Sequence, residues 1–511
     1  MDTSPTMLIG RHATKPAINL FAIFVAMYFS ELTSFRLSID EETTALRTDP
    51  SVWVAQGRWG AYLIEKFVFP HPIMPFLMPA IFGAACVAAY LLIMDRIGKR
   101  VFSIAEYASF VIFCSFPSWF FIVEFYSNIG AVGVGLFSMT LALWLIGKTE
   151  APVLGPRFLC AIAAGCFALS IYQSFAPAIL VLGIAIAVLR ARTGADDSFA
   201  QDVLRTGILL IGSVLFYFIG DSLFRYFITL RNEYFDSLFQ PGFLLQHPIA
   251  VMGRTLGEMG SVYGMDYETY SAALWTIPLL IVLGGVTLFM GAPRIRLQLT
   301  AAAIVLLLIP FAFHLLAVGD MPTRSLVGVP LAMWLFVYLA VTGKNPVIRA
   351  SSGVLLAVAV FQILVIQNYR QASNYLVDKH DTLLAASIYD RLSDTPGFDA
   401  KRTYAVSVFG SRPFETVYPR PPNSTVGHSF FEWDGGNPRR IASYMSLLGY
   451  SNLKSPTRDQ LDQTISQLLT MPVWPAPGSI AIKDDIALIK LGDMPSGSNQ
   501  ASLARLAARQ K

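Results

Sequence analysis

The sequence predicts a polytopic α-helical membrane protein of about eleven transmembrane helices with a small C-terminal α/β extracytoplasmic domain. Three observations predict it. Charged residues make up 14% of the 511 positions and hydrophobic residues 54%, with a mean hydropathy of +0.54, whereas soluble domains carry about 25% charge. Apolar runs of roughly twenty residues, the length that crosses the hydrocarbon core of a bilayer, recur up to Tyr369. Beyond that point the composition turns polar, and the hydrophobic period becomes that of soluble helices and strands.

Taken in order, the apolar runs place helices near 17–36, 73–94, 103–122, 128–146, 157–171, 175–189, 206–228, 272–290, 298–317, 325–342 and 351–369. The two that flank "YQSF" (Tyr172 to Phe175) are short runs separated by a break of a few residues. The first segment is too long for a secretory signal and lacks an obvious small-residue cleavage site after it, so it is expected to remain as a helix. All four cysteines fall inside apolar runs, which gives neither a disulfide framework nor a zinc spacing. The net charge of +4 is small, and no basic stripe alternates with stacking aromatics. A nucleic-acid partner is therefore not expected.

Orientation follows from where lysine and arginine collect in short loops. With a cytoplasmic N-terminus, the inner segments hold fourteen of them and the outer loops between helices six. The acidic loop after the first helix, the loop 229–271, "GDMPTR" and everything after residue 370 then share one compartment outside the cytoplasm, as expected for a multi-pass membrane protein.

The domain plan is a transmembrane core over 1–370 with exported loops 37–72 and 229–271, an α/β domain over 371–493, and a mobile tail over 494–511. In the α/β domain, "DKHDTLLAASIYDRL" and "TRDQLDQTISQLL" carry helical periods. "TYAVSVFG" reads as a strand, and "SIAIKDDIALIKL" as two strands across a Lys-Asp-Asp turn.

Ionisable groups against a membrane are costly and mark function by default. Asp40 and Glu41, in the run "SIDEE", sit at the outer end of the first helix. Adjacent carboxylates there serve either as a general base with a neighbour that tunes its pKa or as a solvated acidic turn. Glu124 and Tyr126 in "VEFYSN", Tyr172 and Gln173 in "YQS", and Asp320 and Arg324 in "GDMPTRSLVG" face the same side. Each has a bland reading as a loop solubiliser, an interfacial anchor or a snorkelling cation. Together they surround one face with carboxylates, hydroxyls and a guanidinium. Arg58 and Arg324 supply the planar, permanent charge that matches a lipid phosphate. Asp221 and Arg225, four apart on the seventh helix, are either a structural pair or a second phosphate contact through Arg225.

"SIDEE" followed by "GRWGAYLIEKFV" resembles the GtrII glucosyltransferases, membrane enzymes associated with O-antigen modification. The resemblance continues through "SIYQSF" to "HSFFEWDGGNPRRIASYMSLLGY" and "MPVWPAPGSIAIKDDIALIKL". It implies a GT-C-like enzyme that takes glucose from a polyprenyl phosphate carrier, such as undecaprenyl phosphate glucose. The acceptor would be a lipopolysaccharide O-antigen or another surface glycan, and the anomeric carbon would invert. It makes Asp40 the expected base and Glu41 its acidic neighbour, with Asp-Glu here where many relatives have Asp-Asp. Arg58 and Trp59 fall on the Gly-Arg-Trp segment and are read as phosphate ligand and sugar platform. A donor-lipid synthase and a flippase are the implied partners. Carboxylates also suit Mg²⁺ or Mn²⁺, but arginine supplies the same charge, so a metal-independent reaction with no cofactor is expected.

Two other readings compete. A flippase or transporter of lipid-linked sugars would place its polar groups near the bilayer midplane and often shows inverted repeats, whereas here the charges gather at one interface. A polymerase or ligase of surface polysaccharide would also use lipid-linked sugars and arginines.

Overall fold

An apolar segment kept from water must satisfy its backbone groups internally, and a helix does so within one segment. In the computed structural model, which describes residues 11–147, 155–192, 199–230, 241–291, 295–317, 321–421 and 423–509, the apolar runs are helical. Among the described residues seven helices are long and apolar enough to cross a membrane: Leu77–Arg96, Ile104–Val123, Tyr126–Leu145, Phe175–Arg192, Phe199–Phe227, Arg296–Leu316 and Pro346–Ser393. Shorter apolar helices occupy the other four expected segments, at Thr14–Met27, Pro156–Ile171, Thr276–Met290 and Gly328–Val341. The molecule is thus mostly helical, with the apolar helices of a membrane protein.

Two of the seven are broken by a 3-10 turn at a proline, Arg296–Leu316 at Ile309–Phe311 and Ile104–Val123 at Pro117–Trp119. The helix Ile104–Ser115 stops before Pro117, passes through a 3-10 turn and resumes at Phe120–Val123. Proline disfavours helical dihedrals in the residue before it, and Phe116 adopts φ −55°, ψ 136°.

The chain divides into two compact units. The first comprises Met1–Phe35, Thr48–Gln367 and Pro421–Asn423; the second comprises Arg36–Arg47, Asn368–Arg420 and Ser424–Lys511.

Aromatic rings fill the core of the first unit. Phe24 stacks on Tyr28 with centroids 4.6 Å apart, and Phe82 meets Trp119 edge-on at 5.2 Å. Asp202 ties three helices by accepting from Arg96 at 3.1 Å and from Arg190. Removing this mostly buried acid would leave two cations facing each other, at a cost of about 3–5 kcal/mol.

The second unit is built on a four-stranded mixed sheet in the order β2-β1-β4-β3. The strands are β1 (Tyr404–Phe409), β2 (Leu453–Lys454), β3 (Ile480–Lys483) and β4 (Ile486–Lys490). β1 runs parallel to β2 and β4, and β3 returns antiparallel to β4 across the Lys-Asp-Asp turn. Every residue of β1 is buried, as a central parallel strand covered on both faces requires. Tyr404, Val406 and Val408 pack with Ile388, Leu392, Ile441 and Met445, while Ala405 and Phe409 pack with Ile465 and Leu468. The helix Arg458–Thr470 starts with a capping box, Thr457 accepting from the Gln460 amide at 3.3 Å.

Three expectations differ from the structure. The last apolar run and the "DKHDTLL" helix are one continuous helix of 48 residues, Pro346–Ser393, because after Gly353 no proline or glycine interrupts the chain until Pro396. The acidic loop expected in the core is divided, and residues 36–47 join the second unit. Ile39 packs into the core there, and Arg36 donates to the Gln371 side chain at 3.1 Å. The tail expected to be mobile contains the helix Gly497–Arg509, where Asn499 donates to the Val408 carbonyl at 2.9 Å. Of the loop 229–271, residues 231–240 lie outside the described residues; past them come the helices Pro241–Gln246 and Pro248–Gly260.

Candidate functional site

In the second unit, the run Asp40-Glu41-Glu42 opens a one-turn helix, Glu41–Thr44, with Asp40 in the left-handed region at φ 82°. Aspartate is one of the few non-glycine residues that visit this region readily, and the turn sends successive carboxylates to different places. Glu41 is buried and accepts from the Ser38 amide at 3.3 Å. Asp40 and Glu42 both meet Arg440, on the helix Pro438–Leu447. Arg440 donates from Nη2 to Asp40 Oδ1 at 2.8 Å, from Nη1 to Glu42 Oε1 at 2.7 Å, and from Nε to Asp434 Oδ2 at 2.7 Å.

The three acids are not equivalent. The Glu42 side chain is fully buried, whereas that of Asp40 is 58% exposed. Burial pushes the Glu42 carboxyl upward from its ordinary range, with Arg440 opposing, and its Oε2 is buried without a hydrogen-bond partner. The acids around Arg440 raise its guanidinium above the usual value against the opposing effect of burial. Asp40 keeps its second oxygen free of protein partners among the described residues. An exposed carboxylate oriented through one oxygen and open at the other has the geometry of a general base.

In the first unit, the candidates gather around the turn at Gly57-Arg58. Gly57 has φ +72°, and a Cβ there would lie 2.7 Å from Tyr217 Oη and 2.8 Å from Gln173 Nε2. Tyr217 donates to the Gly57 carbonyl at 2.9 Å, and Gln173 donates to the Gln56 carbonyl at 2.7 Å. These bonds hold the turn and present Arg58 to the Tyr172 ring, 4.5 Å from its centroid, and to Trp53 at 5.6 Å. Tyr172 donates in turn to the Arg324 carbonyl at 3.2 Å, and the Arg324 guanidinium lies 5.5 Å from the centroid of Phe125.

Burial pushes the Arg58 guanidinium downward, Tyr172 opposes, and the charge of Arg324 adds to the depression. Arginine nonetheless stays charged. Arg58 Nε is buried without a hydrogen-bond partner, and among the described residues neither Arg58 nor Arg324 has an acidic partner. Two cations that repel each other, held on aromatic faces without an acid, suit an anion bearing several oxygens.

The remaining candidates have protein roles. Arg225 pairs with Asp221 at 2.8 Å. Trp59 is stacked by Phe224 at 5.3 Å, so one face of the expected sugar platform is covered. Tyr126 is buried, with its ring 5.6 Å from Phe35, and Glu124 caps the end of Phe120–Val123. Asp320 lies outside the described residues. Among the described residues no three histidine, cysteine or acidic groups are placed to hold a metal ion; where Asp40, Glu42 and Asp434 converge, a guanidinium stands instead.

Sequence reasoning missed Glu42, Arg440, Asp434 and Tyr217. Tyr217 had a readable signal, since it precedes Asp221 by four and Arg225 by eight on one helix face. Arg440 had none, because it lies 400 residues from Asp40.

With the geometry in place, a family model described as Glucosyl transferase GtrII matches residues 29–341. No curated protein and no solved structure matches the chain.

Proposed function

Because the chain belongs to the GtrII glucosyltransferase family, we propose that it moves glucose from a polyprenyl-phosphate-linked donor to a glycan acceptor at the outer face of a bacterial inner membrane. The acceptor is the lipopolysaccharide O-antigen or another surface glycan. The observation that carries the donor assignment is the Arg58 and Arg324 pair, held by Tyr172 and without an acid among the described residues. The support for placing the membrane helices with an inner N-terminus is the bias of lysine and arginine between short loops.

In this reading the acceptor hydroxyl oxygen attacks the anomeric carbon as the bond from that carbon to the phosphate oxygen breaks. The phosphate leaves with the bonding pair, and the anomeric centre inverts. Arg58 and Arg324 bind the phosphate, and their charge is most valuable as the leaving oxygen becomes more negative. Asp40 takes the hydroxyl proton on its open oxygen, while Arg440 holds the other. The arginines supply the cationic charge, so the reaction runs without a metal or a cofactor. A synthase that loads the lipid with glucose and a flippase that delivers it complete the pathway.

The test is release of polyprenyl phosphate from synthetic polyprenyl-phosphate-glucose by the wild type and by Asp40→Asn, with a glycan acceptor present. Release by the wild type and a loss of about 10²–10⁴-fold in the variant supports the assignment. Equal release by both removes Asp40 from the base role, and release by neither refutes the donor. A chelator added to the same assay should change nothing; strong inhibition reversed by Mn²⁺ would overturn the metal-free reaction.

A further inference from the structure

We propose that a groove of the second unit, lined by Arg439, Arg458 and Arg505, binds the carboxylate or phosphate substituents of an acidic acceptor glycan. The ligand's identity as a glycan rests on the glucosyltransferase reading above; the groove itself does not.

The groove encloses about 390 Å³. Arg439 and Arg458 are exposed and have no acidic partner among the described residues. Arg505 is different, because Asp462 grips it through Nε at 2.9 Å and Nη2 at 2.8 Å. That grip fixes its position and neutralises it, with Asp459 adding a second negative charge nearby, and leaves Arg439 and Arg458 as the guanidiniums open to a ligand. All three belong to one wall system, since the groove is bordered by the first turn of Pro438–Leu447, the first turn of Arg458–Thr470 and, at Ser498, the first turn of Gly497–Arg509. The positive ends of three helix dipoles add to the same field.

The chemistry narrows the ligand. Planar guanidinium forks match carboxylate and phosphate oxygens. No aromatic ring lines the groove, so it lacks the stacking platform of a single-stranded nucleic-acid site. Leu461, its large aliphatic residue, is buried, so the groove has no exposed large hydrophobic side chain to anchor in lipid. The groove also lies wholly outside residues 29–341, the part that matches the family model. The acceptor is the substrate that individual glucosyltransferases must distinguish.

The experiment uses the full-length protein in detergent and titration calorimetry with trigalacturonate, mannose 6-phosphate and neutral maltotriose. Trigalacturonate or mannose 6-phosphate should bind at least about tenfold more tightly than maltotriose, with affinity falling as salt rises; which of the two binds better assigns carboxylate or phosphate. The double variant Arg439→Ala, Arg458→Ala should lose that preference, while polyprenyl phosphate release from the glucose donor stays at the wild-type rate. Equal binding of charged and neutral sugars, or undiminished binding by the variant, overturns the proposal. So does arginine-dependent binding of anionic phospholipid vesicles that trigalacturonate does not compete away. Failure of donor release in the wild type would refute the donor reading without touching the calorimetry, so the two ideas fail separately.

Discussion

Replacing Arg440 with alanine should disable glucose transfer by freeing Asp40, and the structure separates this effect from loss of stability. The arm to Asp40 ends on a side chain that is 58% exposed, so solvent screening limits it to about 0–1 kcal/mol of stability. The arm to Glu42 is 17% exposed at one end and 0% at the other. Breaking such a pair leaves an uncompensated buried charge, about 3–5 kcal/mol if the charge persists. Glu42 can escape part of that cost by taking up a proton, since burial already raises its pKa. Arg440→Ala should therefore destabilise the second unit by less than the full penalty. Transfer should still fall by about 10²-fold, the loss expected when a reacting group drifts by about 1 Å. The assay is polyprenyl phosphate release with kcat and KM resolved, beside thermal unfolding. Arg440→Ala combined with Glu42→Gln removes the buried charge and should recover stability without recovering kcat. Recovery of both, or a wild-type kcat in Arg440→Ala, would refute the positioning argument. Arg440→Lys should fall between, because an ammonium keeps the charge but not the three-way fork.

Other outcomes follow from the same geometry. The folded-state pKa of Glu42 lies above its ordinary 4.5, so the folded protein holds more protons than the unfolded chain between those two values. Stability present below about pH 4.5 should then decline as pH rises through the raised value, and Glu42→Gln should flatten that decline in denaturation curves taken from pH 4 to 7. Arg58→Lys should cut donor turnover about tenfold or more, since an ammonium cannot reproduce the bidentate fork; a rate equal to wild type would show that charge alone suffices. Gly57→Ala should cost about 1–3 kcal/mol of stability, because its Cβ would stand 2.7 Å from Tyr217 Oη in a left-handed turn. Unchanged unfolding would mean that the turn relaxes.

What could be read from the chain depended on distance along it. Apolar runs report their own helices, since burial in lipid acts on each segment separately. "TYAVSVFG" and "SIAIKDDIALIKL" announced strands through local residue preference. The Gly-Arg-Trp turn and the "YQS" break were visible as polar interruptions, although nothing local showed that Gln173 clamps the Gln56 carbonyl. The acidic run was conspicuous, yet its meaning depends on Arg440. That arginine sits in an ordinary amphipathic helix, and only folding brings it to Asp40. For the same reason the loop 36–47 read as part of the core, because sequence adjacency to the first helix is a poorer guide than the packing of Ile39.

The 400 residues between Asp40 and Arg440 also measure time. At a synthesis rate of about 5–20 residues per second, the acidic loop emerges roughly 20–80 s before the arginine that holds it. Until then Asp40 and Glu42 have no Arg440 to share. A chain that stops anywhere short of that helix can insert its apolar segments but cannot complete the Asp40 arrangement, so competence for transfer is deferred until the end of translation and denied to unfinished copies.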